Sequence, residues 1–462
     1  MISKRLVYTL MVSLVAAIGG FLFGYDWVVI GGAKPFYEIY FGIADAPLMQ
    51  GWVMGSAIIG CIVGVVVSGS FSDRLGRKPL MLAAAVIFLL SAIGTGMANT
   101  LSALITYRVL GGVGIGIASA LAPLYIAEIV PARSRGVYVS INQLTIVLGI
   151  LMAQVVNWLI AEPVGGGVDL ERSWNVNEGW RWMFWACGVP ALLYMVLLIF
   201  IPESPRWLTL HGKYGKARAI FNRIGGEAYA DETVETAKQT SQTEEEHIAW
   251  RYFFTPPIRK ILLIGIVIAA FQQWCGINVI FNYAQEVFEA AGYGVSDILF
   301  NIVITGATNV VFTVVGMYAV DRIGRRTLMV GGALGLTCIY ALMGFCYYME
   351  VSGIAVLLLV VAAIACYAMT LAPVTWVVLS EIFPNRIRGR AMGIATFSLW
   401  VACFILTYSF PLLNTALGAY GTFWLYGVVC LLGFLFVKTQ LPETKGQTLE
   451  EIEQKLTGRR PR

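Results

Sequence analysis

The sequence has few charged residues and almost no histidine. Asp, Glu, Lys and Arg together make up 13% of the 462 residues, and His211 and His247 are the only histidines. The eight cysteines form no Cys-X-X-Cys pair, so the sequence indicates neither a disulfide framework nor a metal site. It also contains no Asn-X-Ser/Thr sequon, which favours a bacterial source. These absences argue against an ordinary soluble domain and against chemistry based on imidazole or metal.

Apolar residues are in large excess. They make up 58% of the chain, and the mean hydropathy is +0.75. Apolar segments of about 20 residues, long enough to cross a bilayer, recur along the whole length. We therefore predict an all-α polytopic membrane protein with twelve transmembrane helices. The approximate limits of the spans are 7–31, 50–71, 79–98, 101–127, 137–160, 182–201, 260–283, 295–319, 327–348, 354–380, 391–412 and 419–438.

The basic residues indicate how the spans are oriented. If both termini are cytoplasmic, all of the 32 lysines and arginines lie in cytoplasmic segments except Lys34, Arg172 and Arg181, which fall outside, and Arg108, which lies within a span. This asymmetry follows the positive-inside rule. The net charge of +5 therefore reflects topology and gives no reason to expect a nucleic-acid partner. We expect a multi-pass protein of the cytoplasmic membrane without a cleavable signal peptide, because the first span is too long for one.

Residues 271–283, which open the second half, carry four amide side chains within an apolar run: Gln272, Gln273, Asn278 and Asn282. An unpaired amide in hydrocarbon costs several kcal/mol, so these groups must contact protein, water or a ligand. They either hydrogen-bond between helices or converge on a ligand covered in hydroxyl groups, which amides suit because they both donate and accept. Convergence requires the helix to loosen at Cys275-Gly276-Ile277, because the four positions span roughly 220° of a straight helix.

Asp26 is the only carboxylate that the sequence places well inside a span, and Arg108 is the only such cation. Both lie at a similar predicted depth below the outer ends of their spans, roughly 8–10 Å at 1.5 Å per residue. An ionisable residue inside the membrane is a functional hypothesis by default. We predict that the two side chains pair. The pair is either a static link that holds helices together or a protonatable group that controls movement.

Three motifs of the first half recur, in order, in the second half. They are Asp73-Arg-Leu-Gly-Arg-Lys78 with Asp321-Arg-Ile-Gly-Arg-Arg326, Glu128-Ile-Val-Pro-Ala-Arg-Ser-Arg-Gly136 with Glu381-Ile-Phe-Pro-Asn-Arg-Ile-Arg-Gly389, and Pro202-Glu-Ser-Pro-Arg206 with Pro442-Glu-Thr-Lys-Gly446. Each pair follows the second, fourth or sixth span of its half, which is typical of a parallel repeat. We predict two six-helix bundles at 1–201 and 260–438, a cytoplasmic helical linker at 202–259 and a cytoplasmic tail at 439–462.

On these motifs the chain resembles the sugar porter family of the major facilitator superfamily, over nearly its full length. The resemblance implies a transporter, not an enzyme: a monosaccharide–proton symporter that imports a pentose or hexose by alternating access, without a cofactor or metal and as a monomer in the bilayer. It implies that Asp26, in the Phe-Gly-Tyr-Asp motif, carries the proton with Arg108 as its partner. The sugar-binding residues that it implies are Gln143, Gln272, Gln273, Asn278, Asn309, Trp376 and Trp400, and we add Phe23 and Asn282 as further candidates.

The same resemblance implies a network of gate charges at the cytoplasmic ends of the spans, with pairings that the sequence leaves open. Its members are Asp73, Arg77, Glu128, Arg135, Asp321, Arg325, Glu381 and Arg388. Four positions depart from the family pattern and leave the identity of the sugar open: Asn282, Ala372, Leu399 and Cys403. A proton-independent sugar facilitator is the main alternative function, and a sugar sensor that does not transport is a further one. In the linker, helical composition is expected at 213–224 and 231–250.

Overall fold

A computed structural model of the chain describes residues 4–131, 134–163, 170–243, 253–351, 353–384, 387–445 and 451. Within these ranges the chain is helical and contains no β-strand. The helices of the first half and the linker are α1 Lys4–Tyr40, α2 Pro47–Leu75, α3 Arg77–Gly96, α4 Leu101–Ile129, α5 Arg135–Ile160, α6 Trp180–Phe200, α7 Pro205–Leu210, α8 Tyr214–Gly225 and α9 Glu227–Thr243. Those of the second half are α10 Pro256–Trp274, α11 Ile277–Asn282, α12 Ala284–Glu289, α13 Val295–Ile323, α14 Arg325–Tyr348, α15 Ile354–Met369, α16 Leu371–Ile382 and α17 Arg388–Gln440.

Twelve membrane crossings can be counted among these helices. Eleven helical stretches of the described chain are long and apolar enough to span a bilayer. The last of them, α17, contains 53 residues. At 1.5 Å per residue it would be roughly 80 Å long, far more than a hydrocarbon core of about 30 Å. Its backbone departs from helical geometry at Gly418 (φ 67°, ψ 174°), so α17 consists of two successive spans. The twelve predicted spans are all present.

Small residues bring the helices of the first half close together. A Cβ at Gly60 in α2 would lie 2.0 Å from the backbone oxygen of Val109 in α4, and one at Gly116 would lie 2.3 Å from that of Cys61. Since no larger residue fits, α2 and α4 pack backbone to backbone, as helices in lipid commonly do. Large apolar side chains such as Ile199 instead lie exposed on the outside of the helices, as contact with lipid tails requires.

The chain forms two compact units. One comprises Met1–Trp27, Ile59–Ala153 and Arg181–His247, and in it α3 packs along α4 while α7, α8 and α9 pack together. The other comprises Val28–Ile58, Gln154–Trp180 and Ile248–Arg462, and in it α10 packs against α16 and α17, and α13 against α15. The helices α1, α2 and α5 each contribute to both units. The predicted boundaries at 201, 259 and 438 stay a prediction.

The second half contains two breaks that divide long helices. The predicted break lies where expected: α10 ends at Trp274, Gly276 adopts a left-handed conformation (φ 85°), and α11 begins at Ile277. A second break, at Thr370 (φ −119°, ψ −84°), separates α15 from α16. It lies inside the single span predicted at 354–380. At each break, backbone N–H and C=O groups lose their helical hydrogen-bond partners, and the side chains before and after the break point in different directions.

Two charged residues that were predicted to lie beyond the ends of spans are buried in helices. The helix α1 continues past the predicted end of the first span, through Pro35 to Tyr40, and Lys34 is 1% exposed. Arg181 is likewise buried, in α6, where it donates to the backbone oxygens of Gly96 and Ala98. The side of the membrane on which they lie stays a prediction. Asp26 is therefore not the only buried carboxylate of a span, because Glu38 of α1 is also buried and neutralises Lys34 at i+4. Local pairing permits charges where hydropathy alone predicts the end of a span.

The linker forms three helices, α7, α8 and α9, where two helical segments were predicted. The first of these predicted segments, 213–224, corresponds to α8, and the second begins within α9. Residues 244–250 of the second segment lie outside the described residues. Arg218 of α8 contacts Asp231 of α9 at 2.5 Å, and this hydrogen-bonded guanidinium lowers the pKa of Asp231.

Candidate functional site

Asp26 and Arg108 are in contact inside the first compact unit. Nη1 of Arg108 lies 3.1 Å from Oδ1 of Asp26, and both Nη atoms also donate to the backbone oxygen of Asp26, at 3.2 and 3.3 Å. Asp26 is 3% exposed and Arg108 1% exposed. The predicted pairing is thus present, whereas its role in proton coupling stays a prediction.

The pair is not fully satisfied by protein. Oδ2 of Asp26 and Nε of Arg108 have no hydrogen-bond partner among the described residues. A Cβ at Gly111 of α4 would lie 3.3 Å from that Oδ2 and 2.4 Å from Oγ of Ser91, so the absence of a side chain there leaves room beside the carboxylate. The guanidinium lies over the ring of Phe184, 5.7 Å from its centroid. The carboxylate therefore keeps one oxygen that can take up a proton without loss of a protein hydrogen bond.

In the second unit, the helix break gathers three of the predicted amides into one hydrogen-bonded chain. Gln272 donates to the hydroxyl of Tyr367 at 2.5 Å, Gln273 donates to Oε1 of Gln272 at 2.6 Å, and Asn278 donates to Oε1 of Gln273. Nδ2 of Asn278 also lies 3.7 Å from Sγ of Cys403. Because amides can exchange these mutual bonds for bonds to hydroxyl groups, the chain is suited to a polyhydroxylated ligand.

The other predicted sugar-binding residues of this unit lie on α11, α13, α16 and α17, and of these α16 and α17 pack against α10. Asn282 ends α11, is 4% exposed and has an Oδ1 without a partner among the described residues. Asn309 of α13 and Trp400 of α17 are also buried, at 4% and 5% exposure, while Trp376 of α16 is 36% exposed. The indole rings of these tryptophans have apolar faces of the kind that suits the C–H side of a sugar ring.

Two predicted sugar-binding residues, Phe23 of α1 and Gln143 of α5, belong to the first unit. Both are half-buried. The ring of Phe23 contacts that of Trp27 edge to face, with 6.3 Å between centroids. Asn142, next to Gln143, is 6% exposed and keeps an Oδ1 without a partner among the described residues.

The predicted gate charges of the first unit form a network around Arg77. Its Nε and Nη2 donate to Oε2 and Oε1 of Glu128, at 3.0 and 2.9 Å, and its Nη1 lies 2.9 Å from Oδ1 of Asp73. Glu203 accepts from the backbone N–H groups of Arg77 and Lys78, at 3.0 and 3.2 Å. Gly76 (φ 101°) has no room for a side chain, because a Cβ would lie 2.3 Å from Oε2 of Glu203.

The second unit repeats this arrangement. Nη2 and Nε of Arg325 donate to Oε1 of Glu381 at 3.2 and 3.3 Å. Glu443 accepts from the backbone N–H of Arg325 at 2.9 Å, just as Glu203 does in the first unit. Arg388 donates to the backbone oxygen of Phe383. The side chains of two further predicted gate charges, Arg135 and Asp321, lie outside the described residues.

The sequence motifs and this repeated geometry both point to one family of transporters. The family described as "Sugar (and other) transporter" matches residues 12–456. The chain belongs to this sugar transporter family. It is 38% identical over 452 residues to the arabinose-proton symporter of Bacillus subtilis, a match that covers 98% of this chain and 96% of that protein. It is 37% identical over 476 residues to the D-xylose-proton symporter of Escherichia coli, with 96% and 95% covered.

Solved structures of this sugar transporter family have the same fold. The partially occluded inward-open conformation of the xylose transporter XylE from E. coli superimposes with a TM-score of 0.85 at 35% identity, over 96% of this chain and 100% of that one. The predicted fold, twelve transmembrane helices in two six-helix bundles, is thereby confirmed, as is the predicted family.

Several residues that complete the site were missed by sequence reasoning. Glu203 and Glu443 were noted only as parts of repeated motifs, although each binds the start of the helix that carries a predicted gate arginine. Their repetition was the signal that could have identified them. Tyr367, the partner of Gln272, had no comparable signal, because a tyrosine in an apolar span is most often a packing residue.

Proposed function

We propose that the protein is a monosaccharide–proton symporter of the cytoplasmic membrane that works by alternating access. Its membership of the sugar transporter family and the names of its relatives support sugar transport with a proton. The observation that supports proton coupling in this chain is the buried Asp26–Arg108 pair, in which Oδ2 of Asp26 has no partner among the described residues. Protonation of that oxygen would neutralise Asp26 and weaken its hold on Arg108.

Sugar is bound, in this proposal, by the amide chain of Gln272, Gln273 and Asn278, with the indole rings of Trp376 and Trp400 beside it. The amides are half-buried or buried and already hydrogen-bonded to one another, so they are held in place before a sugar arrives. Pre-organised polar groups of this kind reduce the entropy cost of binding. Phe23, Gln143, Asn282 and Asn309 are proposed to add contacts.

The gate charges are proposed to act at the cytoplasmic ends of the helices, with both termini on that side and the protein as a monomer. The positive-inside distribution of Lys and Arg supports the orientation. Two of the gate arginines, Arg77 and Arg325, are already bonded to a glutamate of their own unit. Such networks can rearrange between two states without leaving a buried charge unpaired.

The test is the transient current that follows a rapid addition of sugar to proteoliposomes, across a panel of pentoses, hexoses and deoxyhexoses. A current with one or two of the sugars is expected, because symport of a neutral sugar with a proton carries charge. Sugars that bind without producing a current would contradict proton coupling.

Binding without current would leave two readings, a facilitator and a sensor. Counterflow of labelled sugar separates them, since a facilitator exchanges sugar and a sensor does not. The panel also addresses the departures at Asn282, Ala372, Leu399 and Cys403, which make the α17 side of the site less polar and the α11 side more polar than the family pattern. A sugar lacking one hydroxyl group is therefore included.

A further inference from the structure

A second buried charge cluster lies at the far end of α1, away from the Asp26–Arg108 pair. Nζ of Lys34 lies 2.9 Å from Oε2 of Glu38 and 2.5 Å from Oε1 of Glu286. The side chains of these residues are 2%, 5% and 19% exposed, respectively. The ammonium group also lies over the ring of Tyr283, 5.6 Å from its centroid. This cluster, Lys34–Glu38–Glu286, has no part in the function described above.

The two carboxylates differ in how they are connected to Lys34. Glu38 is four residues along the same helix, so it accompanies Lys34 wherever α1 moves. Glu286 is on α12, beyond the helix break at Gly276, and is separated from Lys34 by 252 residues of chain. The Glu38 bond is thus internal to one element, and only the Glu286 bond links two.

The link is reinforced by close backbone contact. A Cβ at Gly31 would lie 2.9 Å from the backbone oxygen of Phe281 in α11, so the two elements meet without intervening side chains. One turn further along α1 is the cluster itself.

The charges of the cluster suit a bond that must break and re-form. A buried ammonium that loses its only partner is strongly destabilising, but Glu38 remains with Lys34 when Glu286 leaves. The closed cluster holds two carboxylates and one ammonium, and Glu289 lies one turn beyond Glu286. Repulsion between Glu38 and Glu286 therefore opposes the attraction of Lys34 and keeps the bond from being permanent.

We propose that Lys34 is the latch of the outer gate: it binds Glu286 when the transport path is closed to the outside and keeps only Glu38 when the path is open. This inference rests on the proposed function, because the proposed orientation, with a cytoplasmic amino terminus, places the far end of α1 on the outer side of the membrane. Glu38 is a positioning residue that neutralises Lys34 in both states.

The latch predicts opposite effects for the two carboxylates. Glu286→Gln removes the attraction that closes the gate, so the closed state is disfavoured by about tenfold, the usual worth of one charge-assisted hydrogen bond. Glu38→Gln removes the repulsion and leaves Lys34 with Glu286 alone, so the closed state is favoured. A static ion cluster would instead be weakened by both changes.

Amide hydrogen–deuterium exchange of the full-length protein in lipid nanodiscs, without sugar, measures the outcome. We expect faster exchange in peptides covering 28–40 and 277–290 for Glu286→Gln, slower exchange for Glu38→Gln, and no change for Asp297→Asn, an exposed carboxylate of α13 that serves as control. Effects of the same sign in the first two variants, or no effect of Glu286→Gln, would overturn the latch.

A second variant tests the same closure without changing charge. Gly31→Ala places a methyl group against the Phe281 backbone and is expected to open the gate as Glu286→Gln does, whereas Gly69→Ala, where nothing lies within 4 Å, is the control. Unchanged exchange in Gly31→Ala contradicts the proposed contact. Because these measurements need no sugar, a latch response together with silence in the current assay would contradict the proposed function and leave the latch intact.

Discussion

Asp26 holds Arg108 through one carboxylate oxygen and its own backbone oxygen, and the second carboxylate oxygen lacks a partner among the described residues. Asp26→Asn keeps the shape of this side chain but cannot take up a proton. We expect the variant to lose sugar accumulation driven by a proton gradient while it retains sugar exchange. Uptake and counterflow in proteoliposomes measure both activities.

The control for this prediction is Asp297→Asn, at an exposed carboxylate in the first turn of α13. It is expected to accumulate sugar normally. Gradient-driven accumulation that persists in Asp26→Asn would reduce the Asp26–Arg108 pair to a structural link.

Gln272 occupies the middle of the hydrogen-bonded chain, between Tyr367 and Gln273. Gln272→Ala removes one sugar partner and also releases Gln273, so sugar affinity should fall at least about tenfold, or about 1.4 kcal/mol. Tyr367→Phe removes only the hydroxyl that holds Gln272 and should have a smaller effect. Calorimetric titration with the sugar found in the current assay measures both. Equal affinity in the wild type and Gln272→Ala would move the sugar site elsewhere.

At the scale of the element, the α10–α11 break depends on Gly276. Its φ of 85° is unfavourable for other residues, and a Cβ would lie 2.9 Å from the ring of Tyr426. Gly276→Ala should therefore reduce stability by about 1–2 kcal/mol and misplace Asn278. A lower melting temperature together with weaker sugar binding is expected. Gly331→Ala, in the open surface of α14, is the control and should be neutral or slightly stabilising; equal melting temperatures in both variants would contradict the strain.

A second element-scale prediction concerns the start of α14, which Glu443 binds. Burial raises the pKa of Glu443, but the backbone N–H groups of Lys445, Arg325, Thr327 and Thr444 outweigh it, and the pKa lies below its usual value. A lowered pKa in the folded state means that the carboxylate stabilises the protein above its unfolded pKa of about 4.3 and loses this effect as the pH falls through the folded value.

Glu443→Gln should accordingly lower the melting temperature at neutral pH, and the difference from wild type should shrink on acidification below about pH 4. The effect is expected to be small, because Glu443 is partly exposed and water screens its interactions. Thermal unfolding in detergent across this pH range measures it, with the exposed Asp45→Asn as control. A difference that grows toward low pH would contradict the assignment.

At the scale of the whole molecule, the spans, the repeat and the break at Gly276 could be predicted, because hydropathy, motif order and glycine each leave a local trace. The buried Lys34 could not. Its environment is created by Glu286, which is remote in sequence, and no local pattern records that contact. The pairing of Arg77 with Glu128 was open for the same reason. The charged residues could be identified from the sequence, but which of them form ion pairs depends on how the helices pack.

The repeat makes a further prediction about the molecule as a whole. Glu128 and Glu381 hold equivalent places, since each binds the arginine that begins an earlier helix of its own unit, Arg77 or Arg325. If both networks hold the cytoplasmic gate, Glu128→Gln and Glu381→Gln should each bias the protein toward the inward-open state. Sugar binding from the outside should be unchanged in outward-facing protein.

Glu128→Gln should have the larger effect, because the side chain of Glu128 is 2% exposed and that of Glu381 20% exposed, and a weakened ion pair costs more where water cannot replace it. Hydrogen–deuterium exchange in peptides covering 73–82 and 321–330 measures the response, with Glu178→Gln as an exposed control. Shifts in opposite directions would mean that the two halves, although built from the same motif, do not share one gate. Shifts in the same direction, with the buried glutamate dominant, would mean that the repeat preserves a mechanism as well as a fold.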